Sequence, residues 1–320
     1  MQIEPRIAII GASGFVGANL LNNLVKKNIS VHGFARSQSP WRIKAFHLEN
    51  YYSHIGDSLN QTLKAYNPNV VINAATHGAY SFQHDESLII ASNLEVIKEI
   101  VNLAKEISIQ IIHLGTSSEY GVNSNRPLET SLCEPNSKYA EAKLDTTLEL
   151  KSANDLFGIG STVLRLYSIY GPLEDPSRLV PTLINKIIHS ESIKLTDPEV
   201  SRDFVYINDL CELIEVIIKR QNESSGFGIY NVASGVKTTM GGLASIMTKL
   251  FPNNNGIEFG YPMRDWDLKE WVGNPEKILH EYGWETSTTL SEGIMKVMEF
   301  YSVNDNQKYL DSAFSKRIND

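Results

Sequence analysis

An α/β fold with a doubly wound parallel sheet and a smaller C-terminal lobe is what this sequence predicts, and three observations predict it. Short β-branched runs alternate with longer segments of helical period. A glycine-spaced turn joins the first run to the first helix. The alternation then loosens after residue 172. Runs that are apolar along their whole length are strands buried on both faces, which in one chain means parallel strands linked by crossover helices.

The elements follow in order. "RIAII" (6–10) is the first run, and "GANLLNNLVKKN" (17–28) sets Leu20, Leu21 and Leu24 on one helical face before ending in Lys and Asn, a good helix end. "SVHGF" (30–34) and "NVVINAA" (69–75) read as strands. "NLEVIKEIVNLAKEI" (93–107) has a 3.6-residue period, and "QIIHLG" (110–115) and "STVLRLY" (161–167) are strands again. After "YGPLEDPSR" (170–178), proline, acidic and turn residues become frequent until "FGIYNVAS" (227–234). The expected division places the sheet domain at 1–172 with about 203–235, and the smaller lobe at 173–202 and 236–320, closing on a polar tail, "DSAFSKRIND".

Composition narrows the classes of function. The 320 residues carry 29 basic and 37 acidic side chains, a formal net charge of −8, which argues against nucleic acid or an anionic membrane as partner. Cys133 and Cys211 are far apart and form no metal-ligand or disulfide pattern, so buried thiols and no metal are expected. "MQIEPR" is no signal peptide, and no apolar stretch approaches the roughly 20 residues that span a bilayer. A soluble cytoplasmic protein is the expectation.

"IIGASGFVGANL" (9–20) spaces Gly11, Gly14 and Gly17 at intervals of three between strand and helix. In a dinucleotide site Gly11 permits the tight turn, Gly14 lets a pyrophosphate approach the backbone, and Gly17 lets the helix pack close to the strand. The spacing is one residue off the GxGxxG fingerprint, and close packing alone is the competing reading. An NAD site usually has a carboxylate at the end of the second strand. Here "VHGFARS" (31–37) places Ala35 there, followed by Arg36 and Ser37. A guanidinium pairs bidentately with a 2′-phosphate, so NADP(H) is expected over NAD(H).

"YAEAK" (139–143) is a YxxxK pattern that puts Tyr139 and Lys143 on one helical face. A lysine cation beside a phenol favours the phenolate and makes the tyrosine a usable proton carrier. Upstream, "HLGTSSEYG" (113–121) supplies the hydroxyls of Thr116, Ser117 and Ser118 at a strand end, where parallel α/β sheets hold their ligands.

Together with "VINAAT" (71–76), "SNLEV" (92–96), "LRLYSIYGP" (164–172), "SRDFVYINDL" (201–210), "YNVASG" (230–235) and "YGWETSTTLSEGI" (282–294), these pieces resemble the extended short-chain dehydrogenase/reductase superfamily, in its nucleotide-sugar epimerase/dehydratase/reductase branch. The resemblance covers nearly the whole chain. It implies a Rossmann-type domain and a catalytic set of Thr116, Tyr139 and Lys143. Tyr139 would be the proton donor or acceptor, Lys143 would hold the nicotinamide ribose, and Thr116 would bind the reacting oxygen. It implies cofactor contacts from Gly11, Ser13, Gly14, Phe15, Val16 and Gly17, from Arg36, Ser37 and Asp57, and from Ala74, Ala75, Asn93 and Lys143. On the substrate side it implies Ser117, Ser118 and Ser168, with Arg202 and Arg264 as diphosphate arginines unless they pair with Asp203 or Asp265. A homodimer is a further family expectation.

The chain also departs from the branch. Dehydratases carry Asp-Glu, or Glu alone, directly after the catalytic Thr; here Ser117 and Ser118 stand there, with Glu119 one place on, so dehydration is disfavoured. The usual diphosphate asparagine is Ser168, for which Arg178 is a candidate replacement. His77 and Tyr80, in "THGAYS" (76–81), follow a strand end where the sugar would lie, His77 being either ligand or loop residue. The combined expectation is NADPH-dependent reduction of a nucleotide-4-keto-6-deoxyhexose at C4, in deoxysugar or surface-polysaccharide biosynthesis. A 4-epimerase, and a non-catalytic NADP-sensing regulator, are the alternatives.

Overall fold

The computed structural model describes residues 5–37, 40–53, 58–80, 82–220, 226–263, 268–303 and 306–312. In chain order its strands are β1 (Ile7–Ile10), β2 (Val31–Ala35), β3 (Tyr51–Ser53), β4 (Val70–Asn73), β5 (Gln110–Thr116), β6 (Ser161–Leu166), β7 (Ser168–Tyr170), β8 (Ile193–Leu195), β9 (Ser201–Arg202), β10 (Phe204–Tyr206) and β11 (Phe227–Val232). Seven of them form a parallel sheet in the order β11-β6-β5-β4-β1-β2-β3. β1 pairs β2 on one side and β4 on the other, with Ile10 opposite both Phe34 and Asn73. That reversal of strand order leaves a crevice beyond the carboxyl ends of β1 and β4, the usual ligand position in such sheets.

The helices are α1 (Phe15–Lys26), α2 (Trp41–Ala45), α3 (Leu59–Tyr66), α4 (Glu86–Ile90), α5 (Val96–Ala104), α6 (Lys138–Phe157), α7 (Leu179–Ile188), α8 (Ile207–Lys219), α9 (Met240–Leu250), α10 (Glu276–Tyr282) and α11 (Leu290–Tyr301). Because side chains alternate along a strand, β1 sends Ile7 and Ile9 to one face of the sheet and Ala8 and Ile10 to the other. Leu20, Leu21 and Leu24 of α1 pack on the first face with Leu210 and Ile214 of α8. Ile97 and Ile100 of α5 and Leu150 of α6 cover the second. Each fully buried leucine of α1 contributes about 1.5–3 kcal/mol.

The sequence reading differs from this fold in three places. α1 begins at Phe15, so Gly17 lies inside the helix rather than at its start. The long helical period at 93–107 is interrupted: α4 passes through a π-helical turn, Ala91–Glu95, before α5 begins. β3 is a short strand on the edge of the sheet, "YYS", with none of the β-branched richness that marks the others.

Beyond the main sheet, β8 pairs with β13 (Ile257–Phe259), and β9 lies between β12 (Thr238–Thr239) and β14 (Glu270–Trp271). Two buried aspartates tie these parts together. Asp203 accepts hydrogen bonds from the N–H and hydroxyl of Ser234 and from the N–H groups of Gly235 and Gly273. Asp209, in the first turn of α8, accepts from Ser287 and from Thr288. Among the described residues no helix is long and apolar enough to cross a membrane.

Candidate active site

Gly11 has φ +81°, and a Cβ there would lie 2.6 Å from the Ala75 Cα; at Gly17 it would lie 2.4 Å from the Gly11 carbonyl oxygen. Both glycines are therefore required by close approach of β1, α1 and the end of β4, which is the packing reading of the loop. Gly14 is different. It is the N-cap of α1, offers no side-chain cap, and no acidic residue occupies the first turn. The helix N-terminus is left to an anion, with Ser13, Phe15 and Val16 partly exposed beside it and Ala74 and Ala75 on the facing strand end. The cradle fits a dinucleotide pyrophosphate. Packing thus accounts for Gly11 and Gly17, while the uncapped N-terminus at Gly14 has the chemistry of a phosphate seat.

At the end of β2, Ala35 is buried while Arg36 and Ser37 are exposed. The Arg36 guanidinium donates to the Ser92 hydroxyl at 2.9 Å, crossing the carboxyl edge of the sheet toward His77, whose imidazole is held below its ordinary value by burial and by the Arg36 charge. Asp57 and Arg264 lie outside the described residues. Asn93, expected against the cofactor, is wholly buried: its amide donates to the carbonyls of His77 and Ile89 and accepts from Thr76. It anchors the 76–78 segment and lies within the π-helical turn.

α6 starts at the Ser137 N-cap, which accepts from the Ala140 N–H, so Tyr139 stands in its first turn at the wall of a cavity of about 870 Å³. Burial raises the phenol above its usual value, and the neighbouring Thr76 and Thr116 hydroxyls, together with the Arg178 charge, pull it partly back. Lys143, expected as the cation beside this phenol, stands one helical turn further along α6. Lys143 is buried with its ammonium on the Leu114 carbonyl at 2.7 Å, and burial pushes it down to about 8.

Thr116 caps the turn Ser117–Tyr120, its hydroxyl bonded to that of Ser118 at 3.1 Å. Ser117 is nearly buried and accepts from the indole N–H of Trp271, so the first hydroxyl after Thr116 is committed to the wall. Glu119, the nearest carboxylate in sequence, faces away from the cavity. It is fully buried, bonded to the Arg165 guanidinium at 2.9 Å, to the Thr147 hydroxyl and to the Thr116 N–H. This charge pair fixes the Thr116 turn from behind.

On the remaining walls, Ser168 stands at the start of β7. Arg202 donates to the carbonyls of Ser201 and Leu268 and lies over the Trp271 ring, while Asp203 turns inward, so the two do not pair with each other. Arg178 caps α7 and sits over the Tyr80 ring, 3.7 Å from Glu174. Trp271 and Glu174 were not singled out by the sequence; a lone Trp and a carboxylate in a turn carry no signal until the chain folds.

The NAD dependent epimerase/dehydratase family model matches residues 7–233. The chain belongs to that family. Members are extended short-chain dehydrogenase/reductase enzymes, and the seven-stranded sheet is the architecture of their solved structures. Protein CapI of Staphylococcus aureus is 24% identical, the match covering 92% of this chain and 98% of that protein. UDP-glucose 4-epimerase of Thermotoga maritima, solved with UDP-glucose, superposes with a TM-score of 0.83 at 21% identity, covering 92% of this chain and 98% of its own. dTDP-glucose 4,6-dehydratase of Bacillus anthracis, solved in complex with NAD, gives 0.81 at 20% identity, covering 95% and 99%. The epimerase/dehydratase relatives of this chain thus include both nucleotide-sugar 4-epimerases and 4,6-dehydratases.

Proposed function

We propose that the chain is a nucleotide-sugar oxidoreductase acting at C4, that it does not dehydrate its substrate, and that it works in the reductive direction with NADPH on a nucleotide-4-keto-6-deoxyhexose. The observation that carries the reading is that Thr116, Ser117, Ser118 and Tyr139 line one cavity wall, with Glu119 locked behind. Dehydration needs a carboxyl beside that threonine to protonate a leaving hydroxyl, and a serine cannot supply it at neutral pH.

The residues act as follows. The bound nicotinamide supplies the hydride. Thr116 and Tyr139 direct their O–H groups at the C4 oxygen, and Tyr139 delivers its proton as the alkoxide develops. Burial keeps the phenol protonated at rest, the form a ketone requires. Arg36 and Ser37, at the end of β2 where the common carboxylate is replaced by Ala35, are the proposed seat of the 2′-phosphate. The cavity between the main sheet and the smaller lobe (173–202 and 236–320) is the proposed sugar-nucleotide pocket, with Arg202, Arg178 and Ser168 on its walls.

A second reading is 4-epimerisation, favoured by the epimerases among the relatives. One assay separates the two. Purified protein mixed with NADPH and a panel of nucleotide-4-keto-6-deoxyhexoses is expected to consume NADPH in proportion to substrate, and Arg36→Ala to raise the Kd for NADPH about tenfold or more while barely changing that for NADH. Interconversion of two C4 epimers with no net consumption, and equal effects of Arg36→Ala on both cofactors, would establish the epimerase instead.

A further inference from the structure

Glu174 is a carboxyl that neither the catalytic pair nor the packing accounts for. It lies on the cavity wall, only 6% exposed, and its Oε2 makes no hydrogen bond. Its other oxygen is 3.7 Å from Arg178 Nε, near enough for ion pairing and too long for a hydrogen bond. A buried carboxyl oxygen without a partner costs free energy, so its position calls for a ligand that supplies one.

The backbone that presents it is strained and pinned. Leu173 is a fully buried non-glycine residue with φ +64°, a conformation branched side chains avoid. Its N–H donates to the Tyr301 hydroxyl at 2.9 Å and its carbonyl accepts from Arg42 Nε at 2.8 Å. The next turn is closed by Asp175, which accepts from the N–H and hydroxyl of Ser177. Three elements, α2, α11 and the start of α7, thus hold Glu174 at one place on the wall.

Glu174 and Arg178 line the same cavity as Tyr139, and Arg178 lies over the Tyr80 ring. A carboxyl beside a guanidinium is suited to an alcohol, because a carboxyl oxygen accepts a hydrogen bond from the O–H while the guanidinium donates to the hydroxyl oxygen.

We propose that Glu174 and Arg178 form a hydroxyl-recognising pair that sets specificity for the hexose, not for the nucleotide, of the substrate. The pair accepts a sugar that retains the hydroxyl it recognises and discriminates against the corresponding deoxy sugar, which would leave Glu174 unpartnered. This rests on the nucleotide-sugar reading above.

The test is calorimetric binding of matched pairs: UDP and UDP-glucose, dTDP and dTDP-glucose, GDP and GDP-mannose, CDP and CDP-glucose. For the pair that binds, Glu174→Ala is expected to weaken the nucleotide-hexose on the order of tenfold and leave the bare nucleotide within about twofold. Glu174→Gln, isosteric and able both to accept and to donate, is expected to recover part of the loss. Unchanged hexose affinity in Glu174→Ala, or equal loss for the bare nucleotide, overturns the proposal. So does a collapse of kcat with hexose affinity intact, which would make Glu174 an acid–base group. If neither these nucleotide-hexoses nor their nucleotide-4-keto-6-deoxyhexose counterparts bind the unmodified protein, the nucleotide-sugar reading itself fails, and this one with it.

Discussion

In the proposed reaction Tyr139 carries the proton, and its surroundings bear on that role. Two threonine hydroxyls lie near it, and burial favours its protonated form. Tyr139→Phe keeps the ring and removes the proton, so turnover is expected to fall by about 10²–10⁴-fold with cofactor affinity nearly intact, as read by steady-state kinetics beside a binding titration. Lys143 adds a pH dependence. Its ammonium is charged below about 8 and discharges above it, so the field it places behind Thr116 weakens as pH rises through that value. A pH–kcat profile is expected to show an alkaline limb near 8; a flat profile a full unit or more beyond would remove Lys143 from the rate. The identities of Thr116, Tyr139 and Lys143 were legible in sequence because motif spacing survives without coordinates. Their couplings were not. The i, i+4 spacing places Tyr139 and Lys143 on one face, yet nothing in it says that the ammonium ends on the Leu114 carbonyl or that Thr76, far upstream, reaches the phenol.

Among the elements, the β1–α1 unit shows how tightly packing and binding are joined. Gly17 lies within α1, and any Cβ there meets backbone, 2.4 Å from the Gly11 oxygen and 2.9 Å from the Ala12 Cα. Backbone cannot rotate away as a side chain can. Gly17→Ala is therefore expected to cost about 1–3 kcal/mol, seen as a lowered Tm, and to weaken cofactor binding by displacing the helix N-terminus. The buried strands were legible because their apolar runs follow from burial on both faces. β3 was not, since a three-residue edge strand shows little hydrophobic pattern. Nor was the π-helical turn at Ala91–Glu95, whose residues keep helical periodicity and whose extra residue serves to bring Asn93 under the 76–78 segment.

On the scale of the whole molecule, the site lies between the carboxyl edge of the parallel sheet and the small sheets built around β9. Asp203 fastens the two by joining the β9–β10 bend to the segments after β11 and β14. The sequence showed Asp203 beside Arg202 and left a surface salt bridge open as one reading. Burial takes Asp203 out of that reading, Asp265 lying outside the described residues: a carboxylate wholly inside the protein needs several donors, and backbone N–H groups brought together by folding provide them. Family membership alone leaves epimerisation, dehydration and reduction open, and the inward turn of Glu119 is what closes off dehydration in this account. The most direct measurement is mass spectrometry of the products formed from nucleotide-hexoses and from nucleotide-4-keto-6-deoxyhexoses, each incubated with the protein and its nicotinamide cofactor. The account predicts chemistry at C4 only: two added hydrogens on the keto sugar, and no loss of water from any nucleotide-hexose. A product lighter than a nucleotide-hexose by one water would contradict it.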